Sequence, residues 1–479
     1  MATHVVLGNI GGGSGRMGHF RRRHQAVDYG AIERMFPPPP EYFESAWFDS
    51  LEVIAHKQLT RLQDRAWSAY QVPFFKRRWD QAGFHPSHLK TLDDLWKAPS
   101  YTVDDIRQSI DDHPPFGDYQ GVTPEMARRE PMRVYMSGGT TGKSRPTFYT
   151  AWDREVQAVT MARYMFLQGI RPGDVVLNSW SYGLHNGAWA IDEAVYNWLN
   201  CVVITSSVGN VTSSEKQIEL AMQYGAAAIL TTGDYLLRLV DVAKGMGYTP
   251  ADLKLRALSN IGDAELLSNM FGLESLRTYG FHEVGNVAVE CEAHDGLHIF
   301  EDAFIVQIVH PETGVPMPDG ELGSVCLTEV CKTGSPQFRY NIMDLTYLYP
   351  PGQCSCGSWL RKIGPFAGRG DNMVKLRGVN VWPEAVGEIA CSVEGTVPDY
   401  FVRAVRESNR DELLVAVVSN RGPEEFEVIR SEVERRLQQR LGVRIAATVV
   451  SQGAIDEDTE LHTSPKPKRF RDERPKPNS

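Results

Sequence analysis

The chain has no run of 18 apolar residues and no apolar core near its N-terminus. The sequence therefore predicts neither a membrane span nor a secretory signal, and it reads as a cytoplasmic protein without a membrane partner. An excess of basic charge is also missing: the formal net charge is −10, which argues against a nucleic-acid partner. Cysteine is sparse, seven in 479 residues, and an odd count in so long a chain fits reduced thiols or a metal site better than a disulfide framework. What is present is an ordinary globular composition, 42% hydrophobic and 23% charged, in a chain too long for one core, which implies at least two domains.

The most informative stretch is Ser137-Gly138-Gly139-Thr140-Thr141-Gly142-Lys143-Ser144, between the apolar Val134-Tyr135 and the β-prone Thr147-Phe148-Tyr149-Thr150. Glycines let a loop close around a ligand, successive backbone N–H groups form an anion nest, and hydroxyls plus one Lys add donors for phosphate oxygens. It is not a Walker A loop, because no Gly stands five residues before Gly142 and the continuation reads as a strand rather than a helix. The pattern predicts a β-hairpin closed by a phosphate-holding loop, with an ordinary surface turn as the alternative.

Downstream, strands near 174–178, 201–205 and 226–230 alternate with helices near 152–168, from the 181–189 turn to Leu199, and 214–224, which predicts a doubly wound α/β sheet. Ligands in such sheets sit beyond the C-terminal strand ends, where the turn Tyr182 to Trp189 falls. Leu276 to Gly285 contains Tyr279-Gly280-Phe281-His282-Glu283, a strand ending in a turn, with a ring before it to stack a base and a carboxylate after it for a hard cation. Cys291, His298, Cys354 and Cys356 make a candidate Cys3His tetrahedral site, with His294 as a competitor for His298 and free thiols as the alternative. From about Asp371 the pattern is a compact α+β unit ending in a basic tail.

Ser137 to Ser144 resembles the phosphate loop of the adenylate-forming superfamily, which includes acyl-CoA synthetases, nonribosomal-peptide adenylation domains and luciferases. Val72-Pro73-Phe74-Phe75-Lys76-Arg77-Arg78 and Leu92-Asp93-Asp94-Leu95 are similar to the phenylacetate-CoA ligase branch, as is Gly368 to Pro383, which looks like the joint between its large and small domains. The resemblance implies a large ATP- and substrate-binding domain over 46–370, with doubly wound sheets and a β-rich subdomain. It also implies a small mobile α+β lid over 371–479, and residues 1–45 read as a flexible extension.

It further implies ATP, Mg2+ and coenzyme A as cofactors, a small-molecule acid as substrate, and room for the homodimer common in the branch. By the same resemblance Ser137 to Lys143 hold phosphates, Tyr279 and Gly280 face adenine, Glu283 ligates Mg2+, Asp344 holds the ribose, and Arg369 contacts ribose or phosphate. Tyr182, His185, Asn186 and Trp189 line the acyl pocket, Lys466 is the catalytic lysine with Lys468 as runner-up, and the four Cys and His residues hold a structural Zn2+. Departures from the pattern are His282 for Ser or Thr, Asn341-Ile342-Met343 before Asp344, a trimmed adenine loop at Gly262-Asp263-Ala264-Glu265, and Pro465 for Gly. The implied function is ATP-dependent adenylation of an aryl or arylacetic acid followed by transfer to coenzyme A in a biosynthetic setting. Alternatives are transfer to an amine, nitrite activation for diazotisation of an aryl amine, or a regulator that binds nucleotide without turnover.

Overall fold

The computed structural model describes residues 20–137, 144–261, 264–377, 379–407, 410–460 and 467–474. Within them the chain folds as two units with separate apolar cores. The first holds the chain through Glu321 with Val325–Ile342 and Tyr347–Gly364; the second holds Leu322–Ser324, Met343–Thr346 and the chain from Pro365. No described helix is long and apolar enough to cross a membrane.

The first unit opens with a helical layer. Ser50 caps the helix Leu51–Ala69 by accepting from Val53 N, and the buried stripe is Ile54, Gln58, Leu62, Ala66 and Ala69. Leu51 and Trp67, apolar positions of the sequence pattern, instead point to solvent. Pro73 starts the next helix, Pro73–Gln81, where its missing N–H costs nothing, and Phe74, Phe75 and Trp79 are buried.

The expected flexible extension over 1–45 is corrected for its described part. Asp28 caps the helix Tyr29–Met35, and Ile32, Phe36 and Tyr42 are fully buried. The cause is the buried Arg163, which pairs with Asp302 at 2.9 and 2.7 Å, donates to the Pro37 carbonyl at 3.0 Å and stacks 3.6 Å over the Tyr42 ring. A guanidinium removed from water needs all its donors used, so it draws this segment onto the core. The glycine run Gly11 to Gly15 lies outside the described residues.

A parallel sheet follows, in the spatial order Val202–Thr205, Val175–Asn178, Ala228–Thr232, Asn260–Ile261. The chain leaves Val175–Asn178 toward one edge and returns to pair on its other side, so a topological switch point lies beyond Asn178. Helices Ser214–Tyr224 and Gly233–Gly245 pack their apolar faces on this sheet. An antiparallel sheet has the order Lys362–Ile363, Leu297–Ile299, Gly285–Glu290, Thr278–Phe281, and the almost wholly buried helix Ala151–Leu167 packs on its Gly285–Glu290 strand. Phe304–Val309, Gly323–Glu329 and Tyr340–Thr346 form a three-stranded sheet.

In the second unit the strand order is Ala446–Ser451, Arg410–Ser419, Thr396–Glu407, Phe470–Asp472, with helices Pro383–Cys391 and Phe426–Leu441 on the sheet. The basic tail contributes the edge strand Phe470–Asp472, tied down by Arg469 to Asp399 and by Arg474 to Asp411 at 2.9 Å.

Glu301 sits where the helical layer meets the antiparallel sheet, accepting from Gln58 Nε2 at 3.3 Å and from Arg361 N at 2.8 Å. Burial disfavours its charge and pushes its pKa up to about 7 against 4.5. The folded state therefore holds a proton that the unfolded chain releases, so stability present below pH 4.5 is lost as pH rises to about 7. Relative to Glu301→Gln, the wild-type chain should lose about 3 kcal/mol across that window, measured by denaturant unfolding at a series of pH values.

Candidate functional site

The phosphate-loop residues Gly138, Gly139, Thr140, Thr141, Gly142 and Lys143 lie outside the described residues, but their frame does not. Met132–Ser137 and Arg145–Thr150 pair antiparallel up to Ser137 opposite Arg145, so the loop closes a hairpin. Ser137 is buried and its Oγ has no hydrogen-bond partner among the described residues; the Nε of Arg145 is likewise buried and without a partner among them. Two such donors side by side at the base of the loop are open to a water or a ligand oxygen.

Three segments meet at this end of the hairpin. Arg145 Nη2 donates to Glu283 Oε1 at 3.3 Å, which brings the base of the loop to the carboxylate predicted for Mg2+. Met136 N donates to the Leu184 carbonyl at 2.8 Å, and the Arg133 guanidinium lies 4.9 Å over the Trp189 ring. Asn186 Nδ2 donates to the His282 carbonyl at 3.4 Å, and the His185 and His282 rings are 6.2 Å apart. Thus the hairpin end, the Tyr182 to Trp189 turn and the Tyr279 to Glu283 turn form one locality, built by backbone hydrogen bonds as much as by side chains.

The Glu283 turn is shaped by two glycines. A Cβ on Gly280 would lie 2.2 Å from the Gly285 carbonyl oxygen, and Gly285 adopts φ +84 with no room for a side chain beside Gln157. Tyr279 stands before this turn, half-buried, and Glu283 is buried after it. His282 has a buried Nε2 without a partner among the described residues. Burial, which Glu283 opposes and Lys332, His185 and Arg145 reinforce, pulls its pKa down to about 4, so near neutral pH the ring is uncharged.

Of the four candidates for the acyl pocket, three have their polar groups committed within the fold. Tyr182 Oη donates to Asp192 at 2.9 Å and accepts from Asn178 at 2.7 Å, and Trp189 Nε1 donates to the Gly183 carbonyl at 3.1 Å. Asn186 is buried between Arg154, the Tyr149 hydroxyl and the His282 carbonyl. Tyr182 and Trp189 therefore offer ring surface, packed edge to face at 5.0 Å, rather than hydrogen bonds, while His185 is exposed.

Asp344 and Arg369 both belong to the second unit. Arg369 Nη1 donates to Asp344 Oδ1 at 2.9 Å, and their backbones form an isolated bridge. Met343, which stands where the family pattern has Gly, adopts φ +68, a conformation costly for a side chain. Lys466 lies outside the described residues, and the runner-up Lys468 is ion-paired with Glu460.

The four metal candidates meet. Cys291, His298, Cys354 and Cys356 present ligand atoms all within 4.8 Å of one another. Cys291 and Cys354 sulfurs are 3.7 Å apart, far beyond a disulfide bond of about 2.05 Å, and Cys356 Sγ is 3.5 Å from His298 Nε2. His298 Nδ1 lies 3.1 Å from the Leu360 carbonyl, which makes it the donor and leaves Nε2 for a metal. Burial holds this imidazole at a pKa of about 4, hence neutral, and pushes Cys291 and Cys356 up; at Cys354 backbone and thiol hydrogen bonds outweigh burial and pull it down. His294 is excluded as a competitor: it turns outward at φ +51 to Glu274 and Glu290.

Arg145, Tyr149 and Lys332 are not legible as site residues in the sequence, since only the fold converges them on Glu283, with Arg154 beside the Tyr149 ring. The hairpin end, with donors left open among the described residues beside a buried carboxylate and near the switch point of a parallel sheet, fits an adenylate-forming enzyme. The comparisons carry this to a family. The family model of the AMP-binding enzyme C-terminal domain matches residues 378–474. A phenylacetate-coenzyme A ligase of Aromatoleum evansii is 33% identical over 458 residues, 92% of this chain and 98% of the relative. Another, of Pseudomonas putida, is 34% identical over 380 residues, 77% and 82% of the two chains. The crystal structure of 2-hydroxyisobutyryl-CoA ligase in the postadenylation state with 2-HIB-AMP superimposes with a TM-score of 0.76 at 26% identity, covering 88% of this chain and 89% of that one. The chain belongs to the phenylacetate-coenzyme A ligase family and is an AMP-forming acid–CoA ligase.

Arg145→Met removes a charged donor from the phosphate end of the site. A hydrogen bond to a charged group contributes about 1.5–3 kcal/mol, so kcat/KM for ATP should fall about 10- to 100-fold with an unchanged circular dichroism spectrum, as read by pyrophosphate release.

Proposed function

We propose that the enzyme activates an aryl or arylacetic acid with ATP and passes the acyl group to coenzyme A. The observation that carries the reading is the pair of buried donors without partners among the described residues, Ser137 Oγ and Arg145 Nε, beside Glu283 and on the hairpin whose Met136 N–H meets the turn that carries Tyr182 and Trp189. Donors without partners suit phosphate oxygens, and edge-to-face rings suit an aromatic acyl group. The names of the relatives favour the same substrate class.

In this reading the loop Gly138 to Lys143 with Ser137 and Arg145 holds the β- and γ-phosphates, Tyr279 and Gly280 border adenine, and Asp344 with Arg369 holds the ribose. Glu283 would hold Mg2+, which supplies charge neutralisation to the phosphates when bound. The substrate carboxylate attacks the α-phosphorus, the bond to pyrophosphate breaks, and Lys466 offsets the charge on the attacked group. The thiol of coenzyme A then attacks the acyl carbon, and the carbon–oxygen bond to AMP breaks. Neutral His282 borders the reacting groups with a free ring nitrogen, as donor or acceptor.

We assign zinc to the Cys3His cluster, in a structural role. With zinc–sulfur and zinc–nitrogen bonds of about 2.3 and 2.05 Å, a tetrahedron has edges of about 3.8 Å between sulfurs and about 3.5 Å from sulfur to nitrogen. Two of the six ligand-to-ligand distances, 3.7 and 3.5 Å, match these edges, and all six lie within 4.8 Å.

Two experiments test these assignments. ATP-dependent AMP release should require both an arylacetic or benzoic acid and coenzyme A, with aliphatic acids of similar size at least about tenfold poorer. Release that depends on nitrite and an aryl amine without coenzyme A would refute the acyl reading. For the metal, the purified enzyme should contain one zinc per chain by elemental analysis, and Cys354→Ser should lose it together with several kcal/mol of stability.

A further inference from the structure

Behind the Glu283 turn lies a lysine that no catalytic assignment uses. Lys332 is 1% exposed, its Nζ donates to the Glu283 carbonyl, and the same nitrogen stands 3.6 Å from the centroid of the Tyr149 ring. Tyr149, also 1% exposed, donates its hydroxyl to that carbonyl at 2.7 Å and lies 3.0 Å from the His282 carbonyl. Asn186 Nδ2 at 3.1 Å and Gln157 Nε2 at 3.4 Å donate to the hydroxyl in turn.

Lys332 is itself held rigidly. Arg65 donates to its carbonyl at 2.9 Å, and the next two backbone N–H groups, of Thr333 and Gly334, donate to Asp153 at 2.7 and 2.8 Å. A Cβ on Gly334 would lie 2.5 Å from the Phe148 carbonyl oxygen, so this segment sits flush on the hairpin that carries the phosphate loop. Burying an amine or ammonium is costly, and a methionine would fill the same space without that cost. What only a donor can do here is grip a carbonyl, and both protonation states of lysine keep N–H groups for it.

We propose that Lys332 and Tyr149 are positioning residues for adenylation: together they clamp the Glu283 carbonyl and so fix the direction in which its carboxylate meets a phosphate-bound divalent cation. The proposal rests on the assignment of Glu283 as the Mg2+ ligand. Groups that orient a ligand change metal affinity or activity about 10- to 100-fold when removed.

The test is Mg2+-dependent ATP binding by the full-length enzyme, measured by isothermal titration calorimetry over a series of Mg2+ concentrations alongside ATP–pyrophosphate exchange, for Lys332→Met, Tyr149→Phe and Glu283→Gln. Lys332→Met and Tyr149→Phe should each raise the half-saturating Mg2+ concentration about tenfold or more, with KM for the acid changed less than twofold. A residue that merely filled space would not separate those two constants. If Lys332→Met does not fold, Tyr149→Phe, which loses one oxygen and no packing, carries the test alone. An unchanged Mg2+ response in Tyr149→Phe while Glu283→Gln shifts it would overturn the clamp. An unchanged response in Glu283→Gln would instead overturn the Mg2+ assignment, and the clamp with it.

Discussion

The hydroxyl of Tyr149 is the point on which the first unit's site depends. It comes from the second strand of the phosphate-loop hairpin, reaches the carbonyls of His282 and Glu283, and accepts from Asn186 of the turn after Asn178. Three segments distant in sequence thus share one buried oxygen. Its burial pushes the phenol's pKa well above the usual range, so it remains a donor at any working pH. In a low-dielectric interior each of these bonds is strong and each unmade one costly, so the three segments hold their geometry together or lose it together.

Around this oxygen the charges are arranged in layers. Arg154 joins Glu193, Gln157 and Asn186 and lies 4.9 Å from the Tyr135 ring and 5.5 Å from that of Tyr149. Asp153, one residue earlier on the same helix, caps that helix at Thr150 and collects the N–H groups of Thr333 and Gly334. One helix, Ala151–Leu167, therefore anchors the hairpin, the turn and the segment after Gly323–Glu329. That explains why it is buried on nearly all sides although its sequence is rich in Arg, Asp, Glu and Gln.

The strand Gly285–Glu290 connects the two centres of the first unit. Glu283 precedes it and Cys291 follows it, and six residues of strand span roughly 20 Å. The Cys3His cluster is too far from the phosphate end for chemistry there, but it lies at the far end of the strand whose near end presents Glu283. Tertiary structure also decided the N-terminal region: composition reads as a tail up to residue 45, whereas Arg163 and Asp302, a buried pair 139 positions apart, hold Pro37 and Tyr42 on the core.

The sequence alone determined the periodic elements, the hairpin around the glycine loop and the Tyr279 to Glu283 turn, because each is written in local spacing, whereas the meeting of Cys291 and His298 with Cys354 and Cys356, 63 and 58 positions away, was decided by the fold. It could not show which polar groups face one another. Gln58 and Ala66 carry the buried stripe of their helix while Trp67 faces solvent, and Lys332 grips a carbonyl 49 positions away. Such pairings follow from long-range packing, where a buried donor must find whichever acceptor the fold brings within reach, and no local pattern records that choice.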